Sequence, residues 1–117
     1  MNNKITLSGI EDSMIANNLV PSEPTHPGEV LREELECRGI TQTRLAKEMG
    51  VKVSLLNELI NGKRDFTLEY AMMIEAALGI SSDFWMNFQQ NYDKFRVQKD
   101  ATFMERLANI RRIAAVL

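Results

Sequence analysis

Residues 41–64 read TQTRLAKEMGVKVSLLNELINGKR. Leu45, Ala46 and Met49 recur at the spacing of one helical face, and Leu56, Leu59 and Ile60 repeat that spacing after a break. The break is Gly50-Val51, where glycine permits a sharp turn that a Cβ would oppose. Thr41 is placed to cap the first of the two helices. Ala46 is small where two helices must cross closely, and Val51 and Leu56 lock the second helix against the first. That second helix starts near Lys52, spans about Val53 to Ile60 and stops at Asn61-Gly62, since both residues tolerate the left-handed backbone of a helix end. Lys52, Val53, Ser54, Leu55, Asn57 and Glu58 are left on its outward side.

Outward from this pair the helical period continues. One helix is expected from about Pro27 to Arg38, with Pro27 in its first turn, Gly39 as its stop, and Leu31 and Leu35 facing inward. After Lys63-Arg64-Asp65, Thr67 opens another helix running to Leu78, with Leu68, Ala71, Met72, Ile74, Glu75 and Leu78 around its faces and Gly79 at its end. Ser82 or Ser81 caps a fifth, which carries Phe84, Trp85, Phe88 and Tyr92. A last helix from about Ala101 to Leu117 sets Phe103, Leu107, Ile110, Ala114 and Leu117 at spacings of four, three, four and three. That narrow stripe is the seam type seen in helix pairs, and it favours pairing with a symmetry mate over packing on its own domain. Only Ile5-Thr6-Leu7 hints at a strand, so the fold class is all-α.

Residues 1–26 read as an N-terminal arm punctuated at its end by Pro21, Pro24 and Pro27. Ile5, Leu7, Ile10, Met14, Ile15, Leu19 and Val20 make it too apolar for a solvated tail and too broken for a core. It docks either on its own domain or on a partner chain, or stays disordered. The expected organisation is an arm over 1–26, a five-helix domain over 27–93 and a C-terminal helical element over 94–117.

The chain has 117 residues, enough for one compact domain with short arms. No apolar run approaches the roughly 20 residues of a membrane span. The N-terminus lacks the basic start and apolar stretch of a signal peptide, so a cytoplasmic location is expected. Cys37 is the only cysteine and His26 the only histidine, so neither an internal disulfide nor a Cys/His zinc site is expected. The net charge of −2 and pI near 5.4 exclude a basic, non-specific nucleic-acid coat. The charge is nevertheless polarised. Residues 41–64 carry Arg44, Lys47, Lys52, Lys63 and Arg64 against Glu48 and Glu58. Residues 27–40 carry Arg32 and Arg38 against Glu29, Glu33, Glu34 and Glu36.

A helix-turn-helix with a polar outward face and a basic bias is the architecture that sets a recognition helix in the major groove. Residues 41–64 resemble the corresponding segment of the lambdoid phage repressors, the XRE type of small bacterial regulator. His26-Pro27-Gly28-Glu29-x-Leu31, Asn61-Gly62-Lys63-Arg64 and Phe84-Trp85-Met86-Asn87-x-Gln89-x-x-Tyr92-Asp93 extend the likeness to the HigA family of antitoxins over about residues 26–93. The resemblance implies a homodimer that binds the operator of its own operon. It also implies a partner, a HigB-like toxin that is a ribosome-dependent mRNA endonuclease of the RelE type. By position, it implies base contacts from Val53, Ser54 and Asn57, and phosphate anchoring by Gln42, Lys52, Asn61, Lys63 and Arg64. Leu55 and Glu58 depart from a usual DNA reader. Leu55 either touches a thymine methyl or is merely exposed, and Glu58 either accepts from a cytosine amino group or opposes the phosphates.

The plainer readings are these. His26 is a surface or capping residue and Cys37 an ordinary helix residue. Phe84, Trp85 and Phe88 are core aromatics rather than a partner patch, and Arg32-Glu33-Glu34 is a solvated face. No HExxH, GxSxG or phosphate-binding Gly-rich loop points to catalysis, and no cofactor is expected. The leading reading is an autoregulating antitoxin, and the alternative is a free-standing helix-turn-helix repressor without a toxin partner. A third is an interaction module that has lost DNA binding.

Overall fold

The computed structural model describes residues 23–116, and every regular element among them is helical. Helix α1 spans Pro27–Arg38, α2 Gln42–Met49, α3 Val53–Ile60, α4 Leu68–Leu78, α5 Ser82–Gln98 and α6 Ala101–Ala115. The expected boundaries hold closely because most are written in capping chemistry, the start of α3 at Lys52 being without a side-chain cap. Thr41 accepts from the Arg44 amide at 3.1 Å, Thr67 from Tyr70 at 3.2 Å and Asp100 from Phe103 at 3.1 Å. At the start of α5 the cap is Ser81 rather than Ser82, accepting from Asp83 at 3.2 Å. The turn between α2 and α3 is made at Gly50, whose φ of 72° is left-handed, and Val51 donates back to the Ala46 carbonyl at 3.0 Å.

Two ends differ from expectation. Helix α5 runs on through the 93/94 boundary to Gln98, since nothing between Tyr92 and Gln98 interrupts a helix. Helix α6 stops at Ala115, and Leu117, the last residue of the expected stripe, lies outside the described residues together with residues 1–22 of the arm.

The core gathers Leu31 and Leu35 of α1, Leu45, Ala46 and Met49 of α2, and Leu56, Leu59 and Ile60 of α3. Phe66, then Ala71, Ile74 and Leu78 of α4, and Trp85 of α5 complete it. Of the three aromatics expected inside, only Trp85 is fully buried. Phe84 is 39% exposed and Phe88 half-buried, both stacked edge-on in a row from Trp85 to the surface. A helix face one residue wide admits Trp85 and Gln89, four apart, and turns its neighbours outward. Helix α6 contributes no buried residue at all.

His26 caps α1, with Nδ1 accepting from the Gly28 amide at 2.9 Å. It is not a surface residue, being 4% exposed and set edge-on to Tyr92 and Phe66. Burial lowers its pKa below the ordinary value, so the ring stays neutral and Nδ1 remains an acceptor. Gly28 explains its place beside the cap. A Cβ there would meet the backbone oxygen of Ile60 at 2.7 Å and that of Leu59 more closely still. The start of α1 is therefore pressed against the end of α3.

Candidate nucleic-acid interface

Helix α3 buries Leu56, Leu59 and Ile60, and that stripe determines what remains outside. Lys52, Val53 and Ser54 open the helix in solvent, with Val53 43% exposed. Lys52 occupies the N-cap, where its donor-only ammonium can make no capping bond and the residue is exposed. Leu55 borders the apolar stripe and lies half-buried against the core, which leaves part of its surface for a base.

Asn57 is exposed and stands in a line of hydrogen bonds crossing three helices. Its Nδ2 donates to Gln42 Oε1 at the start of α2 (3.3 Å), and its Oδ1 accepts from Asn61 Nδ2 (3.0 Å). Asn61 Oδ1 in turn accepts from Arg32 Nη2 on α1. Gln42, Asn57 and Asn61, which the resemblance assigns to phosphate, base and phosphate respectively, are thus brought into one continuous polar edge.

Glu58 and Arg64 are also brought together, but with each other. Arg64 Nε and Nη2 both donate to Glu58 Oε1, at 2.9 and 2.7 Å, and this bond raises the guanidinium's already high pKa. The carboxylate therefore masks a cation instead of facing phosphates alone. Lys47, Lys52 and Lys63 have no carboxylate partner among the described residues.

The loop that presents Lys63 and Arg64 is held from below. The Phe66 ring is buried, and its amide donates to the Oε1 of Gln89 at 2.8 Å. Gln89, 3% exposed, passes the bond on from Nε2 to Asp93 at 2.9 Å, and Arg96 ties Asp93 to Asp65. Gln89 and Asp93 of the Phe84–Asp93 motif are thus supports for the loop after α3. Gln89 stands in the quoted motif without an assigned role, and residue spacing offers no sign of Arg32. Arg32 sits in a charge run that reads as solvated, and its partner is 29 residues away.

The helix-turn-helix family model matches residues 31–85 of the chain. The antitoxin HigA-1 of Vibrio cholerae is 39% identical to it over 89 residues, which cover 72% of this chain and 84% of that protein. The chain belongs to the HigA antitoxin family. Solved structures agree in fold. An addiction module antidote protein of the HigA family from Coxiella burnetii is 30% identical with a TM-score of 0.64, over 73% of this chain and 95% of its own. The Pseudomonas aeruginosa antitoxin HigA, solved with the higBA promoter, is 27% identical with a TM-score of 0.57, over 80% of this chain and 95% of its own. As a HigA-family member with an XRE-type helix-turn-helix, the chain falls in a DNA-binding rather than an enzymatic family. No helix among the described residues is long and apolar enough to cross a membrane.

Proposed function

We propose that this chain is the antitoxin of a type II toxin–antitoxin module. It represses its own operon by binding operator DNA as a homodimer, and it neutralises a HigB/RelE-like mRNA endonuclease in the bacterial cytoplasm. The polar edge that joins half-buried Gln42 of α2 to exposed Asn57 and Asn61 of α3 and its C-cap carries the reading, in a fold shared with a promoter-bound relative. Val53, Ser54, Leu55, Asn57 and Glu58 lie where base edges would meet α3, and Gln42, Lys52, Asn61, Lys63 and Arg64 where phosphates would flank it. The chain has no catalytic part in this scheme; the toxin is the enzyme.

Dimerisation is assigned to residues 94–117. Phe103, Ile110 and Ile113 of α6 are 39%, 57% and 61% exposed, and Leu107 is half-buried. Ala114 continues the seam within the described residues, and a second copy that covers it would also supply the second half-site reader. Ile110→Asp should convert a dimer to a monomer in sedimentation, and an unchanged mass would place the interface elsewhere.

Two measurements test the whole. Replacing Ser54 and Asn57 with Ala should weaken operator binding while leaving affinity for random duplex nearly unchanged. Co-expression with a neighbouring RelE-like product should yield a stable complex and relieve its growth arrest. If the two proteins do not associate, the chain is a free-standing repressor.

A further inference from the structure

The hydrogen bonds along the outer edge of the helix-turn-helix all run one way. Arginine has donors and no acceptor, so an amide in contact with Arg32 must turn its oxygen toward it. Asn61 does so, which turns its Nδ2 group toward Asn57. Asn57 accepts through Oδ1 and offers Nδ2 to the Oε1 of Gln42. The Nε2 group of Gln42 is left without a partner among the described residues. Gln42 is therefore poised to donate to a phosphate oxygen. Asn57 keeps one N–H and one oxygen lone pair, in a fixed order, for a base edge.

We infer that Arg32 is a positioning residue for DNA recognition, which sets the hydrogen-bond polarity of the Asn61–Asn57–Gln42 line. This rests on the operator-binding reading above. The amides alone have no preferred direction, because each can flip and still bond its neighbour. The two directions are not equivalent at DNA. The reverse one would aim the Gln42 oxygen at a phosphate and exchange the donor and acceptor of Asn57, whereas adenine presents N7 and N6 in one order only. Arg32 is suited to breaking the tie. It has no ion-pair partner among the described residues, although Glu29 and Glu33 share its pocket, and Asn61 takes its Nη2 hydrogen bond.

The test is a graded series of substitutions at this exposed position. Affinity for the operator and for random duplex is measured across salt, and the side-chain amide NMR signals of Asn57 and Asn61 are followed in the free protein. Arg32→Lys, still donor-only, should keep the operator-to-random ratio of the wild type. Arg32→Met, which imposes no direction, should lower the ratio by about twofold, because the competent polarity falls to about half of the population. Arg32→Glu, acceptor-only, should favour the reverse direction and lower it by about tenfold. The salt slope of Arg32→Met should match that of the wild type. A slope reduced by about one unit would make Arg32 a direct phosphate contact and overturn the proposal. Equal weakening of both duplexes by Arg32→Glu, with Arg32→Met unchanged, would reduce the residue to its charge. The amide signals of both asparagines should move in the Met and Glu variants. Their failure to move refutes the relay even if the wild type binds no operator, an outcome that would itself refute the operator reading.

Discussion

Gly28→Ala is the smallest substitution that tests how the reading helix is held. The added methyl would lie 2.7 Å from the Ile60 carbonyl oxygen and nearer to that of Leu59. An ordinary non-bonded contact is about 3.5 Å, so α1 and α3 must part by more than about 1 Å to clear the Leu59 oxygen. Both obstacles are backbone, and no side-chain rotation relieves them. Overpacking of this kind costs about 3 kcal/mol at its upper end. Alanine in a helix returns about 1 kcal/mol over glycine. The net loss is about 2 kcal/mol, or about 10 °C in Tm for a domain of this size. Thermal unfolding at fixed protein concentration measures it, since any dimerisation contributes to Tm. Operator affinity, taken well below the variant's Tm, should fall as well, because α1 is what the C-terminal end of α3 rests on. A variant as stable as the wild type, or more so, would show that only helix propensity had changed and would refute the close-contact argument.

Glu58→Ala should release Arg64 to a phosphate, strengthen binding to random duplex and steepen the salt dependence by about one unit; an unchanged slope would mean that Arg64 already leaves the pair in the complex. Burial holds the pKa of His26 below its ordinary 6.5, so the unfolded chain takes up the proton first as pH falls. The stabilisation from its neutral form is complete above pH 6.5 and is lost as pH drops toward the lowered folded value. Urea midpoints should therefore decrease between about pH 7.5 and about pH 5.5, and His26→Asn, which keeps a capping acceptor without a titrating ring, should narrow that decrease. Gln89→Leu leaves the Phe66 amide buried and unpaired, and should cost about 2 kcal/mol in denaturant unfolding. Gln89→Glu keeps the acceptor for that amide, so a loss equal to that of the Leu variant would argue against the Phe66 bond as the cause.

Local chemistry by itself determined the helices of this protein. Thr41, Thr67, Asp100, Gly50 and Gly79 act on backbone within a few residues of themselves, so their effect can be read along the chain. The stripes Leu45-Ala46-Met49 and Leu56-Leu59-Ile60 likewise name their own buried faces, and they leave the outward edge of α3 by subtraction. Only the tertiary structure decided what those outward groups do to one another. It paired Glu58 with Arg64, withdrew Leu55 partly into the core, buried His26, and threaded Arg32 through two asparagines to Gln42. These contacts join residues on different helices, or on a helix and the loop beyond it, and no periodicity or capping rule carries that information. Phe84 and Phe88 show the same limit in the core: one helical face had room for Trp85 and Gln89, and the packing of α5 on its neighbours, not aromatic character, chose which side chains entered it.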